Sequence, residues 1–406
     1  MDATNEVFAS PDTSFALQGF RALVPVAAEE NRTYLNASFQ LPMNLKVHSA
    51  INKFLIDATI NPNPKADWQA SAVQAQARLA EYLNVAPTSL AFTRDTTEGL
   101  NLFQRSLKLQ PGSNVVLLED EHPNHLYGWF ALADQGLEVR RVKVEGNDAS
   151  SGCANAQTFA AYVDAKTVAI GISSVMFHNG QLNDVRDICA VYRPRGIHVL
   201  VDITQHVGVA PIDLTAWHVS AAAFSCHKGL GTPTGLGCLY IDPAVLGELH
   251  TTPPIVGAGA VSNVPGTLVA DPNVTYWPTT KRYEHLNVSL LTATALDASL
   301  SLITGEIRIV RLEKHFRSLG RELILRCQSL GVSVAGSNIA SQRAPHIYVL
   351  RLLHPDWQSH FRESNIYVSH NRCGVRVSLG FYNNLDDINS LVGCIEAGLA
   401  KGIVAA

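Results

Sequence analysis

One lysine and one aspartate lie where two apolar runs of the sequence end. Lys228 follows the run at residues 219–225, and Asp202 lies near the end of the run at residues 198–203. Residues 229–237, directly after the lysine, contain four glycines. Glycine lets a backbone approach a ligand closely. If the two runs are neighbouring strands, the sequence predicts an amine and a carboxylate in one crevice.

That pair of groups suits pyridoxal phosphate (PLP), whose aldehyde binds a lysine amine and whose ring nitrogen is kept protonated by a carboxylate. Taken alone, a lysine after an apolar strand is usually a solvated strand end, and a lone aspartate there more often caps a helix. A nucleotide-binding P-loop needs Ser or Thr after its lysine, and a dinucleotide site needs GxGxxG at a strand-to-helix turn. The sequence has neither, so PLP is the favoured interpretation.

Composition bounds the class of protein. The chain has 406 residues, which favours two domains, and its 47% apolar and 16% charged residues are typical of a globular protein. A formal net charge of −4 argues against nucleic acid or an anionic membrane as the main partner. We expect no signal peptide and no membrane span. Seven scattered cysteines without CxxC spacing indicate a reducing cytoplasm and neither a disulfide framework nor a metal site.

Short apolar runs, typical of β-strands, are separated by intervening segments. Several of these segments are long enough to form helices. The runs are residues 90–93, 114–118, 138–144, 167–173, 198–203, 219–225 and 237–241. This alternation predicts an α/β fold with a mostly parallel sheet that is covered on both faces.

The remainder of the chain predicts a second, smaller unit. We expect an N-terminal arm at residues 1–33 that joins the small domain, a large domain at 34–290, and a small α+β domain at 291–406. Helical spacing from residue 289 to about 330 predicts one long connecting helix between the two domains.

Six motifs follow one another along the chain: residues 93–98, 120–125, 201–206, 224–228, 281–287 and 374–383. Together they resemble the aminotransferase class V family of fold-type I PLP-dependent enzymes, and the resemblance runs from about residue 34 to 391. This family includes cysteine desulfurases, selenocysteine lyases, cystine C–S lyases and isopenicillin N epimerase-like proteins. The resemblance implies a seven-stranded, mostly parallel sheet in the large domain.

The resemblance assigns the cofactor's phosphate to two motifs. Thr96 and Thr97 lie at a turn that opens a helix, where free N–H groups attract anions. Ser225 and His227 would also reach the phosphate. Asp95 replaces the family's usual glycine, and we expect it to point away. An alternative is that Asp95 and the threonines only cap the helix.

The remaining cofactor contacts are implied by the same family. His122 would stack over the pyridine ring, Asp202 would bind the ring nitrogen, Gln205 would bind the 3-hydroxyl oxygen, and Lys228 would hold the aldehyde carbon. His122 and His125 could instead form an HxxH metal pair, but no third ligand at a suitable spacing is evident.

Two weaker motifs point to a partner and a substrate. In the family, the segment matching residues 281–287, with Asn287, reaches the phosphate of a neighbouring subunit, which implies a homodimer with shared sites. Leu286 stands where the family has glycine. Arg376 would hold the α-carboxylate of an amino-acid substrate in bidentate geometry; the alternative is a surface arginine on a strand.

The sequence indicates the type of reaction less clearly than it indicates the cofactor. Residues 361–370, where persulfide-forming desulfurases carry a nucleophilic cysteine, contain none. Cys373 is an odd number of positions before Arg376, so on one strand the two side chains would face opposite sides. Cys226 has the ordinary interpretation of a small buried thiol.

Phe177 occupies the position of an asparagine of the desulfurase branch, and Phe177 or His178 could shape the substrate pocket. We expect a PLP-dependent C–S lyase that acts by β-elimination, with Lys228 as the general base. The alternatives are an epimerase, an aminotransferase, a C–C bond-forming enzyme or a persulfide-forming desulfurase. A catalytically silent binding protein is disfavoured by the intact Lys228, Asp202 and His122. The sequence leaves the substrate open.

Overall fold

The computed structural model describes residues 17–144, 153–267, 269–337 and 339–405, so residues 1–16 of the predicted N-terminal arm lie outside the described residues. The strands are β1 (Thr33–Tyr34), β2 (Leu90–Thr93), β3 (Asn114–Leu118), β4 (Glu138–Val142), β5 (Thr167–Ser173), β6 (His198–Asp202), β7 (Ala221–Ser225), β8 (Gly237–Ile241), β9 (Ile347–Leu350), β10 (Ile366–Tyr367), β11 (Ser369–Asn371) and β12 (Gly374–Ser378).

The α-helices are α1 (Gln18–Arg21), α2 (Pro25–Ala28), α3 (Leu45–Ile60), α4 (Lys65–Leu83), α5 (Thr96–Gln104), α6 (Pro123–Phe130), α7 (Ala156–Phe159), α8 (Val185–Tyr192), α9 (Leu214–Trp217), α10 (Leu290–Leu300), α11 (Ile309–Ser329), α12 (Asp356–Glu363) and α13 (Leu385–Ala400). A π-helix spans Ser301–Ile307. Short 3₁₀ turns lie at Pro87–Ser89, Ala133–Gln135, Arg193–Arg195, Ala258–Ala260, Thr280–Tyr283 and Ala340–Gln342.

A seven-stranded sheet forms the centre of the molecule, in the order β2-β8-β7-β6-β5-β3-β4. Strand β8 runs antiparallel to both of its neighbours, and the other neighbouring strands pair in parallel. The predicted mostly parallel α/β fold is confirmed. Five of the strands (β2, β3, β6, β7 and β8) are buried along their whole length, which explains their continuous apolar sequences.

A smaller antiparallel sheet, in the order β11-β12-β9, is formed by residues near the C-terminus. The chain's N-terminal part contacts this region, because β1 pairs in parallel with β10. The Arg21 guanidinium also lies 2.8 Å from the buried carboxylate of Asp387 on α13.

The predicted single connecting helix is wrong, because the structure divides this segment. The π-helix that follows α10 ends at Ile307. The next residue, Arg308, has a φ of 68°, in the left-handed region, and α11 begins after it. A non-glycine residue in that conformation interrupts α-helical hydrogen bonding. Apolar spacing alone does not report such a break.

The segment Leu290–Ile307 is long and apolar enough, by length and composition, to cross a membrane. Half of it is buried within the protein, and α10 packs against α3 and α4. It therefore serves in this fold as a core helix.

Candidate active site

A cavity of about 260 Å³ opens at the carboxyl ends of β5, β6 and β7 and at the start of α5. Its lining residues are Asp95, Thr96, Thr97, His122, Asn124, Ser173, Val175, Phe177, Asp202, Thr204, Gln205, Ser225, His227 and Lys228. The strands place these groups together because Asp202 pairs with Ser173 on one side and with Ala223 on the other. The carboxyl edge of a parallel sheet is where ligands bind in open α/β folds.

Lys228 supplies the amine of the cavity. Burial lowers the pKa of its amine, Asp202 opposes this effect, and Arg376 adds to it. A lowered pKa increases the share of neutral amine, which is the form that acts as a nucleophile or a base. Gly229 is required next to it, because a β-carbon there would collide with the carbonyl oxygen of Val207.

Asp202 presents a carboxylate to the same cavity and is only 9% exposed. Its Oδ1 accepts a hydrogen bond from the backbone N–H of Thr204 at 2.8 Å. Among the described residues, none forms a hydrogen bond or an ion pair with Oδ2. That oxygen is available to a donor in the cavity, as a protonated ring nitrogen would be.

One end of the cavity is a group of hydroxyls at the start of α5. The Thr96 hydroxyl lies 2.7 Å from Ser225 Oγ and 2.8 Å from Thr204 Oγ1, and the Thr96 N–H donates to Ser225 Oγ at 2.9 Å. Asp95 caps this helix by accepting from the Glu98 N–H at 2.9 Å, so the capping interpretation of Asp95 is confirmed. Hydroxyls beside a helix N-terminus form a suitable site for a phosphate.

His122 lies at the start of α6, where its Nδ1 accepts from the Asn124 N–H at 3.2 Å. Its ring meets the Phe177 ring edge-on, with centroids 5.1 Å apart. Burial lowers the pKa of His122, so the imidazole is neutral near pH 7. His125, the other member of the alternative metal pair, is fully buried and does not line the cavity.

Gln205 has an unpaired acceptor at the cavity. Its Nε2 donates to the Ser38 carbonyl at 3.1 Å, whereas its buried Oε1 has no hydrogen-bond partner among the described residues. A buried acceptor without a donor is uncommon in folded proteins. A ligand hydroxyl in the cavity would satisfy it.

Arg376, on β12, contacts the backbone of Phe177 and does not line the 260 Å³ cavity. Its Nη1 donates to the Phe177 carbonyl at 3.0 Å and its Nη2 contacts Ser369 Oγ at 3.4 Å. Burial lowers its pKa to about 10, so the guanidinium is still charged at pH 7. Among the described residues no carboxylate pairs with it, and a substrate carboxylate would supply that charge.

Besides Arg376, two of the sequence-predicted site residues, His178 and Asn287, do not line the cavity. His178 lines a separate small space with Asp120 and Asn179, and burial lowers its pKa to about 4. Its ring packs edge-on against the Phe177 ring, with centroids 5.4 Å apart, so it contacts a residue of the cavity wall without lining the cavity itself. Asn287 lies in an exposed segment after the Thr280–Tyr283 turn, and its contact with a neighbouring subunit stays a prediction.

Cys373 and Arg376 do not lie on one strand. Cys373 lies in the turn between β11 and β12 and not on β12, so the odd spacing from Arg376 says nothing about which side it faces. Cys373 is half-buried against the apolar cluster that contains Val175. Cys226 is fully buried in the core, as predicted, and burial raises the pKa of its thiol.

Sequence reasoning missed Ser173 and the buried Glu121 that holds it. Glu121 accepts from the Ser173 N–H at 2.7 Å and from its hydroxyl at 2.5 Å. Ser173 ends a predicted strand, as Asp202 does, and that position was the available signal.

This cavity, at the carboxyl edge of a mostly parallel sheet, defines a PLP-dependent enzyme of fold type I. The donors and acceptors fit the cofactor: Lys228 for the aldehyde, Asp202 for the ring nitrogen, Gln205 Oε1 for the hydroxyl, and the Thr96–Ser225 hydroxyls for the phosphate. The chain belongs to the Aminotransferase class-V family, whose sequence model matches residues 42–391.

Individual proteins that are similar to this chain agree with the family assignment. The chain is 49% identical over 389 residues to an uncharacterized aminotransferase of Schizosaccharomyces pombe, covering 95% of this chain and 97% of that protein. The apo structure of a cysteine desulfurase from Thermococcus onnurineus is similar over 98% of this chain and 99% of that one (TM-score 0.83, 21% identity). The cystine C–S lyase C-DES, in complex with its product cysteine persulfide, is similar over 91% of this chain and 98% of that one (TM-score 0.80, 23% identity).

Proposed function

We propose that this protein is a PLP-dependent C–S lyase that cleaves the Cβ–S bond of a cysteine-type amino acid by β-elimination. Bound PLP withdraws electrons from the α-carbon of an amino acid, so that a proton there becomes acidic. The Lys228 amine removes that proton. Loss of the thiol from Cβ and addition of water would then give a keto acid and ammonia.

The single observation that favours this function is the composition of the cavity wall. Among the described residues that line it, none is a cysteine, while a base (Lys228) and a carboxylate (Asp202) are both present. A persulfide-forming desulfurase needs a cysteine thiolate that attacks the substrate sulfur. Burial raises the pKa of the Cys373 thiol, which disfavours its thiolate form. The shared fold does not separate the two reactions, since it occurs in both a desulfurase and a C–S lyase.

The test is to incubate the purified holoenzyme with L-cystine, L-cysteine and a panel of S-substituted cysteines, and to identify the products by mass spectrometry. β-Elimination predicts pyruvate, ammonia and a thiol or persulfide. A desulfurase would instead release alanine and leave a persulfide on the protein. Cys373→Ala, with Cys153→Ala as the matched control, should keep the wild-type rate of pyruvate formation. Loss of activity in Cys373→Ala alone would favour the desulfurase.

We further propose a homodimer that works in a reducing compartment such as the cytoplasm. Several large apolar side chains are exposed in the single chain, among them Phe39, Ile60, Val73 and Leu286. Asn287 is exposed next to Leu286, where a second subunit could use it. All seven cysteines are free thiols. Sedimentation of the holoenzyme tests the dimer, and a monomer that keeps its cofactor would contradict it.

A further inference from the structure

The hairpin of β11 and β12 connects the small domain to the wall of the cavity. Ser369 pairs with Arg376 and Asn371 pairs with Gly374, so Arg372 and Cys373 form the turn between them. Gly374 has a φ of 127°, and a β-carbon there would collide with the carbonyl oxygen of Leu350. The turn is therefore held in one place against β9, and the same hairpin carries Arg376.

Besides the contacts of Ser369 with Asn36 and of Ser378 with Ser38, three polar contacts join this hairpin to the large domain. Arg372 Nη2 lies 2.6 Å from Asp120 Oδ1, in the segment that leads to His122. Asn371 Nδ2 donates to the His178 carbonyl at 3.0 Å, and Arg376 Nη1 donates to the Phe177 carbonyl at 3.0 Å. Two of the contacts use backbone carbonyls. The Arg372–Asp120 contact is the one among these three that joins two charges.

We propose that Arg372 is a positioning residue, whose ion pair with Asp120 fixes the distance between Arg376 and the wall of the cavity that carries His122 and Phe177. This inference rests on the proposed function, because it assigns Arg376 to the substrate carboxylate. Arg372 itself touches neither the cavity nor the reacting atoms. It acts by holding the hairpin that carries Arg376.

We expect the Arg372–Asp120 ion pair to affect substrate binding and not cofactor binding. The lysine, carboxylate and hydroxyls that would hold PLP all lie in the large domain, whereas Arg376 lies on the hairpin. The side chains of Arg372 and Asp120 are 57% and 25% exposed. Exposed pairs are weak, so we expect Arg372→Gln to raise KM only about 1.5-fold to fivefold. Arg372→Glu, which places two carboxylates together, should raise KM further.

The experiment uses the holoenzyme and β-chloro-L-alanine, a probe for β-elimination that does not depend on the natural leaving group. We expect Arg372→Glu to raise KM while kcat and the dissociation constant of PLP stay within about twofold. The double variant Asp120→Lys/Arg372→Glu restores an ion pair of reversed polarity and should return KM to within about twofold of wild type. Higher salt should reduce the difference in KM between wild type and Arg372→Gln, since it screens exposed charges.

Arg326→Glu is the matched control, because it makes the same charge change at an exposed ion pair on α11 and should leave KM unchanged. If Arg372→Glu has the wild-type KM, or if the double variant is no better than Arg372→Glu, the positioning role is wrong while the proposed function stands. If the wild-type enzyme eliminates nothing from β-chloro-L-alanine or from any amino acid tested, the proposed function fails, and this inference fails with it.

Discussion

Asp202→Asn tests whether the carboxylate in the cavity holds the ring nitrogen of PLP. The substitution keeps Oδ1 and its 2.8 Å hydrogen bond from the Thr204 N–H, so the local backbone should be preserved. It replaces the available Oδ2 with an amide NH₂, which would face a protonated nitrogen with another donor. Loss of a hydrogen bond to a charged group is worth about 1.5–3 kcal/mol, or about a 10-fold to 150-fold weaker cofactor affinity. Titration of the apoenzyme with PLP, followed by visible absorbance, measures that affinity.

A second aspartate among the residues that line the cavity provides the control. Asp95 caps α5 through a 2.9 Å hydrogen bond from the Glu98 N–H, and asparagine caps helices equally well. Asp95→Asn also removes a negative charge next to the hydroxyls that would bind the phosphate, so PLP should bind as tightly as in wild type or more tightly. The assignment of Asp202 would be refuted by equal losses in the two variants, or by an affinity of Asp202→Asn within about threefold of wild type.

Three further outcomes are expected. Arg376→Gln should raise KM for the amino acid about 10-fold to 150-fold and leave the spectrum of the bound cofactor unchanged, since a charge-assisted hydrogen bond is lost; an unchanged KM removes Arg376 from the substrate site. Burial lowers the pKa of His346 in the folded protein to about 3. As the pH falls below about 6.5, the unfolded chain therefore takes up a proton at this residue and the folded protein does not. The free energy of unfolding then decreases by about 1.4 kcal/mol per pH unit. Denaturation at pH 7 and 5 should show a smaller pH dependence for His346→Gln than for the exposed control His48→Gln, and equal slopes would contradict the burial argument. Gly229→Ala should lower Tm, because its β-carbon meets the Val207 carbonyl, and a Tm equal to that of wild type would show that the turn after the lysine is tolerant.

Much of the central sheet could be predicted because its strands are buried on both faces. The runs at 90–93, 114–118, 167–173 and 237–241 have the predicted bounds. The connecting segment could not be predicted in the same way. Its apolar spacing continues through the π-helix, and an arginine at position 308 does not predict a left-handed backbone there.

In the candidate site, too, some residues could be predicted from the sequence and others could not. Asp202, Ser225 and Lys228 could be found because parallel strands deliver their carboxyl ends to one edge of the sheet. The side-chain directions of His178 and Cys373 could not be predicted, because they depend on the conformations of a loop and of a hairpin turn. The Arg372–Asp120 contact joins residues 252 positions apart in the chain, so no local pattern reports it.

The central claim is that Lys228 holds the cofactor covalently. Reduction of the holoenzyme with sodium borohydride fixes PLP to the amine that carries it, and peptide mapping by mass spectrometry then identifies the residue. We expect the modification on Lys228 in wild type, and in Lys228→Ala we expect no modified lysine and no turnover. Modification of a different lysine in the wild-type protein, or turnover by Lys228→Ala at the wild-type rate, would contradict it.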